Sequence, residues 1–439
     1  MALAALVAVA LLVGERRPLR MVEIGPAAGA TDVPVTAQVI ATFSRPLHRS
    51  LPPDAMVLAP AVDGLLSASG RRVAFTPRRP LRADTRYAVT VDGRIRDAGG
   101  RALGGPVVST FSTRPLALLA RAGERGLVRV TLAGDRVDVV RGAVGAFAAA
   151  PSGAIASIDL RRHVLAVRRP RSAPVDLPIP DGLAVDAIEW TPAEDAVLFL
   201  GARRGEPGRP FVVRLDRAPS IRRLGDADEG GPLPGSLVIE RLKRSLIEVV
   251  YGQDSYAVTR GAAIVRDRAW DFALVDLDGR RRATLGSFLA VGDAAPRGDA
   301  VLVVDVDPAD PALRRQVAVY GRDGQRRALS APDMDTHAPR FSHAGDQVVA
   351  VTAAADGPPP RRRYGLVVIQ TGAADRRIVT APPENMADGD PRWSPDDAWL
   401  VFRRTPLDAS GPPEVWVVPA AGGEPRRLAA DLDAARWVP

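Results

Sequence analysis

The phrase Pro391-Arg392-Trp393-Ser394-Pro395-Asp396-Asp397-Ala398-Trp399-Leu400-Val401-Phe402 has a second copy in the same chain, Pro339-Arg340-Phe341-Ser342-His343-Ala344-Gly345-Asp346-Gln347-Val348-Val349-Ala350. Weaker copies are Glu189-Trp190-Thr191-Pro192-Ala193-Glu194-Asp195-Ala196-Val197-Leu198-Phe199, Ala295-Pro296-Arg297-Gly298-Asp299-Ala300-Val301-Leu302 and Ala150-Pro151-Ser152-Gly153-Ala154-Ile155. A further copy near Val238 to Val250 has lost the turn and is placed by spacing alone. The copies lie about 40 to 55 residues apart, the length of one small antiparallel sheet. A unit that short cannot bury its apolar face alone, so successive units must stack against one another.

Each repeat runs in one order: an aromatic or small residue on a first strand, a Ser-Pro-Asp-Gly-like turn, a strongly apolar second strand, a third strand such as Glu414 to Val418, and a fourth such as Pro425 to Leu428. That order predicts a β-propeller blade over residues 115–439. Leu116 to Ala120, Gly126 to Leu132 and Arg136 to Arg141 read as a blade lacking its inner strand, and Ala435-Arg436-Trp437-Val438-Pro439 matches Arg392-Trp393-Ser394-Pro395. The C-terminal segment is therefore expected to close the ring, giving seven blades, or six if the faint copy near Val238 is an insertion. Trp190, Trp393 and Trp437 occupy equivalent positions, which predicts packing between blades.

Residues 22–114 are different. About seven short alternating runs, such as Val35 to Phe43, Arg86 to Val91 and Val107 to Phe111, are separated by Gly, Pro and Asp clusters, the strand count and size of an immunoglobulin-like sandwich. Phe43, Phe75, Tyr87 and Phe111 supply core positions, and Asp97 with Gly99-Gly100 predicts a turn that needs positive φ. With no sustained 3.6-residue periodicity after Met21, the fold class is all-β: an Ig-like β-sandwich followed by a β-propeller.

Two resemblances rest on these residues. Pro26 to Pro34, Phe43-Ser44-Arg45-Pro46-Leu47, Phe75-Thr76-Pro77, Thr85 to Val91, Asp97-Ala98-Gly99-Gly100 and Thr110-Phe111-Ser112-Thr113 occur in the order of the bacterial Ig-like domain of surface-layer proteins. That resemblance implies a spacer or adhesion module, common in exported proteins. The repeat phrase is similar to the PD40, or WD40-like, propeller repeat of the TolB family and of prolyl-oligopeptidase propellers, and implies a ring that hosts many unrelated activities.

The chain has 439 residues with 46% hydrophobic and 25% charged, which excludes a disordered or polytopic membrane protein. Ala2 to Val13 is shorter than a membrane span and lacks the basic residue that precedes a signal's apolar core, but a segment apolar all round and followed by a polar, Pro-containing stretch does not suit a buried helix, so residues 1–20 are read as an export signal or membrane anchor. The net charge of +8 comes almost wholly from arginine. Its pairs and triplets are dispersed, with acids between them, unlike the single basic stripe of a nucleic-acid binder, so no nucleic-acid partner is expected. Cysteine is absent, which removes disulfides, thiolate chemistry and zinc fingers.

Sites for chemistry are scarce. There is no G-x-S-x-G elbow, and Gly252-Gln253-Asp254-Ser255-Tyr256 is spaced wrongly for one. His48, His163, His337 and His343 are too scattered for a spaced metal site, His343 replaces the proline of the repeat turn, and no P-loop or dinucleotide fingerprint appears, so no cofactor is expected. Asp305-Val306-Asp307-Pro308-Ala309-Asp310 lacks the glycine and glutamate of a calcium loop and reads as a solvated turn.

The segments leading into the inner strands, by contrast, are acidic: Asp226, Asp228 and Glu229; Asp333, Asp335 and His337; Glu384, Asp388 and Asp390; Asp431 and Asp433. These residues are expected either to cap turns or to converge as an acidic mouth that draws in a protein or peptide partner, or a cation, with Arg361 to Arg363 opposing locally. The sequence reading is an exported or membrane-tethered binding or scaffold protein of the cell envelope without catalytic activity of its own. Its competitor is a propeller-based hydrolase or lyase using those acids.

Overall fold

The computed structural model describes residues 18–438 apart from 171, 192–193, 205–208, 217, 224–241, 244–255, 260–261, 267–270, 277–280, 297–299, 307–309, 311, 313, 322–324, 355–361, 374 and 409. The chain divides into two compact units, Met1–Pro115 and Leu116–Pro439. Residues 2 to 13 lie outside the described residues. No helix among the described residues is long and apolar enough to cross a membrane.

The first unit is a two-sheet sandwich. One sheet orders Met21–Gly25, Val39–Phe43, Arg72–Pro77 and Gly64–Ser69; the other orders Ala30–Val33, Val107–Thr113, Arg86–Val91 and Met56–Ala59. Alternation does the sorting: Val39, Ala41 and Phe43 are buried while Ile40 and Thr42 are only partly so, and Tyr87, Val89 and Val91 repeat the pattern. Tyr87 stacks on Phe111 at 5.5 Å between ring centroids, and its hydroxyl accepts the Arg82 N–H at 3.0 Å. At the expected turn, Gly100 takes φ +82°, and the Asp97 carboxylate accepts the Arg101 N–H at 2.9 Å.

The second unit carries seven sheets among the described residues, most of them four antiparallel strands in chain order. The first of these completes itself with the last strand of the chain: Ala434–Trp437 pairs antiparallel with Ala117–Arg121, with Trp437 opposite Leu118 and Ala435 opposite Ala120. The region of the faint repeat holds a five-stranded sheet from Leu242–Lys243 to Arg281–Ser287. Apart from Leu242–Lys243, the segment Val238 to Val250 lies outside the described residues. Second strands such as Ala196–Arg203 and Gln347–Ala354 are buried almost throughout, as strands covered by a sheet on each face must be.

The repeat turn has one conformation. Gly153, Glu194, Gly345 and Asp397 occupy its equivalent corner at φ +86°, +56°, +78° and +58°. Glycine adopts this region freely, whereas an acid there is strained. The acids offset that strain by reaching the neighbouring blade. Asp397 accepts the N–H groups of His343 at 2.7 Å and Ala344 at 2.9 Å and the His343 ring at 2.9 Å; Glu194 accepts the Ser152 N–H at 3.0 Å. His343 is thus a link between blades.

The tryptophans make the equivalent link at the inner strands. Trp190, Trp393 and Trp437 are buried, and each indole N–H donates to a carbonyl of the preceding inner strand: Ala148 at 3.3 Å, Arg340 at 3.0 Å and Arg392 at 3.1 Å. Arginines do the same on the outer strands, where Arg376, Arg377 and Arg426 donate to the carbonyls of Leu329, Ala420 and Leu132.

Removing residues 432–439 would strip Trp437 from its pocket and leave Ala117–Arg121 with an unpaired edge. Two-step thermal unfolding of this variant is expected to show a lowered or aggregating transition for the second unit and an unchanged one for the first. Trp437→Ala alone should cost about 3–5 kcal/mol, the usual loss for truncating a buried aromatic.

Candidate functional site

The inner strands Val144–Ala149, Leu183–Trp190, Ala290–Ala294, Met334–Phe341, Met386–Trp393 and Ala434–Trp437 follow one another around the ring. Each of the first five carries a break in its ladder register, as between His337 and Arg340 and between Gly389 and Arg392. A bulge of this kind turns a strand and re-aims its side chains. In the two strongest repeats the bulge places a non-glycine residue in left-handed conformation, Ala338 at φ +50° and Asp390 at φ +47°.

Most of the acids singled out in the sequence are already engaged. Asp335 is fully buried: its carboxylate accepts from Arg315 at 2.9 and 3.0 Å, from Arg362 at 2.7 Å and from the Tyr364 hydroxyl at 2.6 Å. Burial pushes this carboxyl up, but the bonds from Arg315 and Tyr364 outweigh it and hold the group below the ordinary carboxylate range. Tyr364 is pushed up to about 12 by burial and by its bond to Asp335.

Asp388 is likewise buried, gripped by Arg404 at 2.7 and 2.9 Å, and the Arg404 guanidinium lies 4.3 Å from the centre of the Trp416 ring. Asp431 pairs with Arg136 at 2.8 Å and with Arg125, and Asp433 with Arg121 at 2.8 Å. Asp333 and Glu384 are exposed. Asp226, Asp228 and Glu229 lie outside the described residues. The expected acidic mouth is thus largely neutralised by arginine, including Arg362 of the triplet expected to oppose it.

His337 lies edge-on to Tyr364 at 5.0 Å between ring centroids, and its buried Nδ1 has no hydrogen-bond partner among the described residues. Burial, helped by Arg315, pushes its pKa down to about 3. In the suspected calcium loop, Asp310 is bound by Arg314 at 2.7 Å and Asp305 pairs with Arg326 at 3.3 Å. Among the described residues no three His, Asp or Glu side chains gather as a metal site.

Asp390 sits at the bulge of an inner strand, with 27% of its side chain exposed. Arg392 holds it at 3.0 Å and Arg436 at 3.1 Å, from successive inner strands. Burial raises this carboxyl, but the charges of Arg436, Arg392, Arg340 and Arg403 outweigh burial and keep it below the ordinary range. Burial lowers the Arg436 pKa, and the charges of Asp390 and Glu189 oppose that shift. The arginines and Glu189 went unnoticed as site residues, although a signal was present. Glu189, Arg392 and Arg436 each immediately precede the repeat tryptophan, and Arg340 precedes the matching phenylalanine, so one side-chain position per blade supplies the channel's charge.

Comparison with known proteins supports the two-part fold. Residues 15–113 match the bacterial Ig-like domain family. No curated protein matches the chain. Among solved structures, the chain is similar to a puromycin-hydrolyzing peptidase of Mycobacterium tuberculosis at 15% identity and TM-score 0.46, over 72% of this chain and 51% of that one. It thus spans about half the length of that peptidase. It is similar to a TolB of Agrobacterium tumefaciens at 9% identity and TM-score 0.37, over 72% of this chain and 87% of that one. A third is an oligogalacturonate lyase in complex with manganese, at 12% identity and TM-score 0.46, over 67% and 82% of the two chains.

These neighbours correct one expectation. The sequence reading excluded catalytic activity for want of a recognised motif, whereas peptidases and a lyase appear among the structures similar to this chain. A missing nucleophile elbow does not exclude an enzyme, since one fold hosts many activities and its chemistry is set by the side chains of a site.

Two outcomes follow for the buried cluster. Asp335→Asn leaves two buried guanidiniums short of a counter-charge and should cost at least ~3 kcal/mol in chemical denaturation. His337 has its folded pKa below its unfolded value of about 6.5, so the unfolded chain binds the extra proton between the two. Its contribution to stability is complete above about pH 6.5 and is lost as pH falls towards 3. His337→Gln should flatten the fall in stability between pH 6.5 and 4.5, as read by thermal unfolding.

Proposed function

We propose that the protein is an exported binding protein of the cell envelope, in which the Ig-like unit is a spacer and the propeller takes a protein or peptide partner at its central channel. The observation that carries this reading is the group Asp390, Arg392, Arg436 and Glu189, four charged side chains on three inner strands, of which Arg392 is buried and the other three are only partly so. A concave site with few, converging charged groups is the usual form of a ligand pocket, and the surrounding protein strengthens their field. The bulge does not need a carboxylate, because Ala338 makes the same left-handed turn in the neighbouring blade. Asp390 is therefore kept for its charge, which holds Arg392 and Arg436 together at the inner strands. The match of residues 15–113 to the bacterial Ig-like family supports a role outside the cytoplasm, as does the apolar run from Ala2 to Val13.

Affinity selection from a soluble synthetic peptide library, read by mass spectrometry, tests the site. The full chain should retain a defined subset of peptides, and the charge exchange Glu189→Arg with Arg436→Glu should abolish or change that subset while circular dichroism stays that of the parent. Retention of the same subset by both proteins would place binding elsewhere and overturn the reading.

A further inference from the structure

The channel groups differ in how far they are committed. Arg340 is buried and donates to the carbonyls of Gly292 at 2.8 Å and Pro339 at 3.0 Å, and the buried Asp293 accepts the Phe341 N–H at 2.9 Å. Both tie adjacent inner strands together. Asp390, Arg436 and Glu189 remain partly exposed, and Arg392, though buried, keeps 11% of its side chain exposed beside Asp390.

These four divide into two poles. Arg392 and Arg436 share the single carboxylate of Asp390, so this pole carries a net positive charge. A guanidinium has five N–H donors, and the bonds to Asp390 and to the Ala435 carbonyl leave several unused on Arg436, whose side chain is 31% exposed. Glu189 is the other pole. Its carboxylate acts electrostatically on both Arg392 and Arg436, yet it makes no hydrogen bond or ion pair among the described residues.

A ligand carrying only negative charge would meet the guanidiniums but be repelled by Glu189 and Asp390. One carrying only positive charge would meet Glu189 and be repelled by the arginines. Only a molecule bearing both charges, separated, is favoured at both poles, and peptides with free ends have that form.

Resting on the channel-binding reading above, we propose that this channel holds a short peptide by its two free termini, the α-carboxylate on Arg392 and Arg436 and the α-ammonium on Glu189. Recognition is then of chain ends, with bidentate guanidinium–carboxylate geometry at one end and a single carboxylate at the other. Side chains of the ligand are secondary.

Calorimetric titration of the full chain with di-, tri- and tetra-alanine at low salt tests this, beside the N-acetylated and C-amidated form of each. At least one length should bind, and blocking either end should weaken it tenfold or more. In Glu189→Gln, acetylation should no longer matter; in Arg436→Gln, amidation should lose most of its effect. Both substitutions are at partly exposed positions, and unchanged thermal unfolding confirms that the variants fold. No binding by any free peptide, or equal binding of free and blocked ones, overturns the proposal. If library peptides bind through the channel while blocking changes nothing, end recognition fails and the channel reading stands.

Discussion

An indole N–H reaching the backbone carbonyl of the preceding inner strand is the contact on which the ring depends. Among the described residues three blades make it, through Trp190, Trp393 and Trp437. Each bond satisfies a buried carbonyl that would otherwise cost about 1–3 kcal/mol, and each ring fills the wedge between two sheets. The carbonyl belongs to the residue that occupies the channel position, so packing and chemistry meet at one peptide unit. Arg392 shows both sides: its carbonyl accepts from Trp437 while its guanidinium holds Asp390. Side chains at that position are free to vary from arginine to glutamate to alanine because the packing bond uses only the main chain.

Charge then plays two distinct parts. Buried pairs are closed to solvent: Asp335 with Arg315 joins neighbouring blades, Asp335 with Arg362 ties an inner strand to a loop, and Asp388 with Arg404 joins strands within a blade. Such pairs contribute less to stability than their geometry suggests, since burial of the ions offsets much of the attraction, but losing one partner is costly. The channel group is built otherwise, with one aspartate between two arginines and a glutamate left apart. Other arginines serve neither role: on outer strands Arg376, Arg377 and Arg426 tie blade to blade through backbone carbonyls.

The fold was legible because its signals are local and repeated. Alternation around Phe43 and Tyr87, the turn residues of the sandwich, the repeat phrase and its fragment at the C-terminus all act over a few residues, and the structure uses each in that way. The site was less so. Acids such as Asp335 and Asp388 lie in the right segments, but their partners Arg315, Arg362 and Arg404 come from other strands, and no spacing announces a pair formed across a sheet. Asp390 was found because it shares those segments. Glu189 and Arg436 were in view within the repeat phrases, yet their importance depends on ring closure, which brings the C-terminal strand to the same channel as strands far earlier in the chain. The loss of the turn motif near Val238 hid the five-stranded sheet that runs from Leu242–Lys243 to Arg281–Ser287.

The central claim is that two guanidiniums from different inner strands hold an aspartate charged inside the channel. Carbon-13 NMR titration of the Asp390 carboxyl in the full chain tests it most directly, with Asp390→Asn identifying the resonance. The carboxyl is predicted to titrate below the ordinary aspartate range, and to move upward when Arg392 and Arg436 are both changed to glutamine. An Asp390 that titrates at an ordinary value in the parent protein, or that does not respond to loss of the two arginines, would contradict the account.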